Sequence, residues 1–170
     1  MVARNQRERL IAAIAEECGE RGYAGTSVAD VAKRAGVSSV TFYKQFAGKQ
    51  ECMLAAHRQL GGRLLEEVDR VRAGEDDPDT AARTALRTAL ALFAADLPSA
   101  QLLTIEVLAA GPEGVGRHDA LVAAFAERLG VDWVHAAGIL ALVGKRVVAG
   151  EADRLPELEN DLAGTLSAQS

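Results

Sequence analysis

The sequence has little that would staple, stiffen or metal-load a fold. Its 170 residues hold two cysteines, four prolines and three histidines, and aromatics make up only 4%. Cys18 and Cys52 stand far apart within helical patterns, a spacing that suits neither a secreted disulfide framework nor a zinc site, so both read as apolar thiols. His57, His118 and His135 fall on separate segments with no H-E-x-x-H run and no i, i+4 pair, so no metal or cofactor is expected. A G-x-S-x-G elbow, a phosphate-cradling glycine loop and an informative Cys/His spacing are all missing, which removes the common routes to an enzyme. Long apolar runs are missing too. The most apolar window, 133–150, is interrupted by His135, Lys145 and Arg146 and falls short of the roughly 20 residues that span a bilayer. Met1–Gln6 leads straight into a charged amphipathic segment, so a cytoplasmic protein without a membrane partner is expected.

What is present points to helices. Ala, Leu, Glu and Arg dominate, apolar residues reach 49% and charged residues 25%, a balance for a soluble all-α fold. The net charge of −5 is unevenly spread. Residues 1–50 carry eight Lys/Arg against five acids, a net +3, which leaves −8 on the remainder. A basic head on an acidic body suggests that one part meets a polyanion and the other does something else.

Along the chain, Leu10, Ile14 and Cys18 at four-residue spacing predict a first helix over about Gln6–Arg21, stopped by Gly22. Ser27 stands three residues before Asp30, a capping-box spacing that starts a second helix running to about Ala35. Gly36 suits the left-handed residue that ends it, and Ser38 can cap a third helix at once. There Phe42 and Phe46, one turn apart, are expected to bury together and leave Ser39, Val40, Tyr43 and Lys44 facing outward. Further helices are predicted over about Gly48–Arg72, Asp79–Asp96, Ser99–Ala110, a seventh carrying Leu121, Val122, Phe125 and Leu129, Asp132–Ala149 and Leu155–Ser167, the last marked by Leu155, Leu158, Leu162 and Leu166. That makes about nine helices in all.

Three short helices with a tight glycine turn between the second and third form a helix-turn-helix, whose second element enters the DNA major groove. The stretch GYAGTSVADVAKRAGVSSVTFYKQFAGKQECM closely resembles the N-terminal signature of the TetR family of bacterial transcriptional regulators, through Gly22-Tyr23, Thr26-Ser27, Val31-Ala32, Ala35-Gly36-Val37-Ser38, Thr41-Phe42-Tyr43, Phe46 and Lys49. The resemblance covers roughly residues 7–54. It implies a homodimer with a DNA-binding domain at 1–48 and a ligand-binding and dimerisation domain at 49–170. It further implies a double-stranded operator as partner, a small-molecule inducer and, most simply, repression. Val40 departs from the glycine usual there and would offer an apolar contact to a thymine methyl. Gly48 replaces a better capping residue.

Residue by residue, the resemblance makes Ser39, Val40, Tyr43 and Lys44 candidates for base edges or nearby backbone, and Ser27, Thr41 and Lys49 candidates for phosphate. Arg4, Arg7 and Arg9 could act as a basic arm, although a solvated helix face explains each of them as well. In the body, a ligand would be lined from the fifth to seventh helices, with Thr84, Thr88, Phe93, Glu106, His118 and Phe125 as candidates. Small and apolar residues in 132–149, with the leucines of 155–167, suggest a dimeric four-helix bundle. The alternative is a helical interaction protein of the same architecture that works through its acidic body, with DNA binding auxiliary.

Overall fold

A computed structural model describes residues 2–159, and the side chains from residue 5 onward. The order is α1 (Val2–Gly25), α2 (Val28–Arg34), α3 (Ser39–Gln45), α4 (Lys49–Arg72), α5 (Pro78–Ala95), α6 (Leu97–Thr104), a 3₁₀ turn (Glu106–Ala110), α7 (Pro112–Leu129), α8 (Trp133–Val148) and a second 3₁₀ turn (Ala152–Glu157). The chain is all-α, with no strand among the described residues.

Local chemistry sets most of the boundaries. Ser27 and Asp30 form the expected capping box, each satisfying the other's backbone amide. Gly36 takes φ +63°, and the amides of Gly36 and Val37 bond back to the carbonyls of Lys33 and Ala32, the paired closure that a left-handed residue permits. Asp77, Asp96 and Asp132 cap α5, α6 and α8 through their side chains. Gly48 starts α4 without a side-chain bond, as its lack of a side chain requires.

One expected helix is cut short by tertiary packing, and the start of another is shifted. The helix expected over Ser99–Ala110 ends at Thr104. Ile105 (φ −130°, ψ −60°) breaks it, and the following turn is 3₁₀. At that turn Glu106 is drawn to the head, and the Val107 carbonyl lies against Gly114 of α7 so closely that a Cβ there would stand 2.0 Å from it. The helix expected from Leu155 is preceded by 3₁₀ geometry, and α-helical residues begin at Leu158. Leu162 and Leu166 lie outside the described residues.

One core runs through head and body. Leu10, Ile14 and Cys18 of α1 are buried together with Phe42 of α3, Phe46 just after it and Cys52, Met53 and Ala56 of α4, and the same cluster continues to Leu86, Leu102, Phe125 and Leu140. The head is therefore seated on the body through α1 and α4. Burial pushes the thiol of Cys18 up to about 11 and that of Cys52 to about 12, so both stay protonated and inert near neutral pH.

Candidate nucleic-acid interface

The display surface is built on α3. Ser38 accepts the Thr41 amide at 3.1 Å and lies 3.0 Å from the Thr41 hydroxyl, which fixes the first turn. Phe42 and Phe46 are buried, with ring centroids 5.7 Å apart, and they anchor the helix from below. Opposite them Val40 is 67% exposed and Tyr43 59% exposed, an unusual position for large apolar and aromatic groups. Tyr43 is held edge-on to Phe42 at 5.5 Å, so its hydroxyl stands on a packed ring. Ser39 and Lys44 are exposed beside them, and Thr41 is half-buried. The structure thus brings Ser39, Val40, Tyr43 and Lys44 onto one outward surface.

The remaining head candidates sit differently. Ser27 is exposed at the start of α2 but is engaged in its capping box, whose hydrogen bonds hold the Asp30 carboxyl below its ordinary range. Lys49 is turned inward. Its Nζ donates to the carbonyls of Tyr23 (2.6 Å) and Thr26 (2.8 Å) and sits 4.1 Å from the Tyr23 ring centroid. Two of its three donors are used in binding the α1–α2 connection to α4. Arg7 likewise lies over the Phe46 ring at 4.4 Å, and the Arg4 side chain lies outside the described residues.

Long-range contacts that no local pattern announces hold this surface in place. Arg34 of α2 reaches Glu16, Glu17 and Glu20 along α1, at 3.1, 2.6 and 2.6 Å, and these three carboxylates raise its already high affinity for a proton. At the end of α1, Gly22 takes φ +73° and ψ 161°, a region open essentially to glycine alone, and kinks the helix. Just beyond the kink the Tyr23 amide donates to Glu106 of the body at 2.6 Å. Gln50 of α4 donates to the Ala110 carbonyl at 2.9 Å, a second bond between the start of α4 and the same 3₁₀ turn.

The body candidates have separate partners. Glu106 bonds the head, Thr84 donates to Glu75, and His118 lies 3.2 Å from the Leu103 carbonyl through Nδ1. Phe93 and Phe125 are buried, Phe93 bordering a groove of about 330 Å³ with Leu60, Leu92 and Leu103. Thr88 is half-buried on α5. On α8, Ala136, Ile139, Leu140, Val143, Gly144 and Val147 are buried within the chain, while Val134, Gly138, Ala141, Leu142 and Val148 form an exposed stripe. No group of three His, Cys, Asp or Glu is placed to hold a metal among the described residues, and no described helix is long and apolar enough to cross a membrane.

Comparison with known proteins bears on the N-terminal sequence and on the fold. Residues 10–56 match the family described as "Bacterial regulatory proteins, tetR family". The HTH-type transcriptional regulator BetI of Stenotrophomonas maltophilia (strain R551-3) is 34% identical over 116 residues, which span 59% of this chain and 59% of BetI. The transcriptional regulator FadR from Bacillus subtilis, solved in complex with stearoyl-CoA, shares the fold with a TM-score of 0.82 at 18% identity, covering 96% of this chain and 98% of that one. PfmR from Thermus thermophilus, a TetR family transcriptional regulator, does so with a TM-score of 0.73 at 20% identity, covering 93% and 96%. Residues 10–56 thus carry the sequence of the TetR family of bacterial regulatory proteins, and the described chain has the fold of solved TetR family regulators.

Proposed function

We propose that the chain is a ligand-responsive transcriptional repressor that binds a pseudo-palindromic operator as a homodimer. One observation carries the reading: α3 is a short helix locked at its start by Ser38 and from beneath by Phe42 and Phe46, and it spends its exposed side on Val40, Tyr43 and Lys44. In the major groove Lys44 donates to guanine O6 or N7 and Val40 packs on a thymine methyl, while Tyr43 donates to the backbone. Ser39 and Thr41 add contacts beside them, and Ser27 meets phosphate from the start of α2. Lys49 contributes mainly by holding the α1–α2 connection, with one donor left for phosphate.

The exposed stripe of α8 supports a two-fold partner, since Val134, Ala141 and Leu142 flank Gly138, where another backbone can come close, and Val148 extends the stripe. Two heads paired in this way read half-sites about 34–36 Å apart, or a multiple of that. Release by a ligand follows from the junction: Tyr23 and Gln50 of the head side are bonded to the Glu106–Ala110 turn, so a ligand that favours another setting of that turn changes the spacing of both recognition helices at once. The test is fluorescence anisotropy with fragments from upstream of the protein's own gene against random duplex. Salt-sensitive preference for one fragment is expected, and equal affinity for all of them removes the main support.

A further inference from the structure

α4 carries two adjacent glycines in its middle, and packing explains only one. A Cβ on Gly61 would meet Leu121 at 3.4 Å and Leu103 at 3.6 Å, so at that point the helix is drawn close to its neighbours. A Cβ on Gly62 would meet nothing within 4 Å. Glycine in a helix interior loses stability through backbone entropy, and at Gly62 no close approach offsets the loss. What Gly62 provides is space, because it borders two adjoining hollows. One, of about 210 Å³, lies between α4 and α7 with apolar walls that include Leu65, Ala120 and Leu121. The other, of about 440 Å³, lies between α1 and α4 beside Arg7, Arg63, Glu8 and Glu66. Arg58 and Gly62 border both, and Arg117 stands on the apolar one.

Several of the basic groups around these hollows are short of partners. Arg58, Arg63 and Arg117 have no hydrogen bond or ion pair among the described residues, whereas Arg21, Arg34, Arg70, Arg87 and Arg128 are each paired with a carboxylate. Nη1 of Arg7 is buried without a hydrogen-bond partner. His57, only 3% exposed, lines the apolar hollow, and its Nε2 has no partner either. Buried polar atoms are ordinarily paired, so Arg7 Nη1 and His57 Nε2 mark a place where a bound molecule completes the bonding, with Arg58 and Arg63 exposed and Arg117 half-buried beside them. Four arginines against two glutamates in a chain of net charge −5 indicate the sign of that molecule.

We propose that the Gly62 hollows bind an amphiphilic organic anion. Its hydrocarbon part lies between α4 and α7 against Leu65, Ala120 and Leu121, and its carboxylate or phosphate head is held by Arg58 and Arg117, with Arg63 and Arg7 beyond. The proposal rests on the ligand-responsive reading above and names the class of ligand. Isothermal titration calorimetry on the full chain tests it with octanoate, octyl phosphate, 1-octanol and inorganic phosphate. At least one octyl anion binds saturably, about tenfold or more tighter than octanol or inorganic phosphate, and the tighter of the two identifies the head group. The double variant Arg58→Ala/Arg117→Ala weakens that binding about tenfold or more. Gly62→Leu abolishes it by filling the hollow, while raising the melting temperature by about 2–4 °C because a helix former replaces glycine. The proposal is overturned if neither octyl anion binds, if octanol binds as tightly, or if both variants bind like the parent chain. Operator preference is measured on the same samples: if it persists while the octyl anions fail, only this proposal falls, and if it is absent the regulator reading falls whatever binds in the hollow.

Discussion

Replacing Glu106 with alanine should loosen the head from the body by a predictable amount. The Glu106 carboxylate accepts the Tyr23 amide at 2.6 Å across 83 residues of sequence, immediately after the Gly22 kink. A hydrogen bond to a charged group contributes about 1.5–3 kcal/mol, and a part-buried amide left without its acceptor forfeits that amount. For a chain of this size each kcal/mol moves the melting temperature by roughly 2–4 °C. Glu106→Ala is therefore expected to melt about 3–12 °C lower. Glu106→Gln keeps an acceptor oxygen but loses the charge, so it should recover about half of the loss. Circular dichroism melts of the three proteins at pH 7 measure this. The DNA-facing surface of α3 is untouched in both variants, so the preferred operator fragment should stay the same, while the loosened junction lowers affinity for it. Melts of both variants within about 1 °C of the parent would show that the bond contributes nothing and that the packing of α1 on α6 seats the head without it.

Three further outcomes follow from other parts of the molecule. Tyr43→Ala and Lys44→Ala should each weaken operator binding by about 1–3 kcal/mol with helicity intact, and Lys44→Ala should also lower the salt slope if its contact is to phosphate, as anisotropy titrations at several salt concentrations will read. Gly36→Ala places a Cβ at φ +63° and should destabilise the chain by about 1–2 kcal/mol in urea unfolding, with a matching loss of operator affinity. Burial, with the nearby His118 charge, holds the His57 imidazole down to about 4 against an ordinary 6.5, so the folded state resists a proton that the unfolded chain accepts. Its contribution to stability is complete above pH 6.5 and is lost as pH falls towards 4, about 2 kcal/mol of it between pH 6.5 and 4.5, and a His57→Gln variant should show a correspondingly flatter pH dependence of unfolding over that window.

The helix-turn-helix was legible because its determinants are local. Ser27 with Asp30, Gly36 with Lys33, Val37 with Ala32, and Ser38 with Thr41 bond across three to five residues, and the one-turn spacing of Phe42 and Phe46 already tells which side of α3 is buried. The function of Lys49 was not legible: at a helix start a lysine suits a phosphate, and only the folded chain brings the Tyr23 and Thr26 carbonyls to its ammonium. Glu106 is a similar case, a carboxylate in the body whose partner in the head lies 83 positions away. The Gly61-Gly62 pair was the one available signal for the hollow beside α4, since glycine inside a helix invites a reason, yet sequence alone does not say which of the two meets a neighbour.

By itself the sequence determined that this chain is helical, where its head turns between the second and third helices, and which side chains α3 presents, because capping, glycine conformation and helical periodicity act over a few residues. The tertiary structure decided how the head is clasped at Glu106 and Ala110, where the sixth helix breaks, and which arginines are left without partners around an open space. Those depend on contacts between segments distant in the chain, which no local pattern encodes.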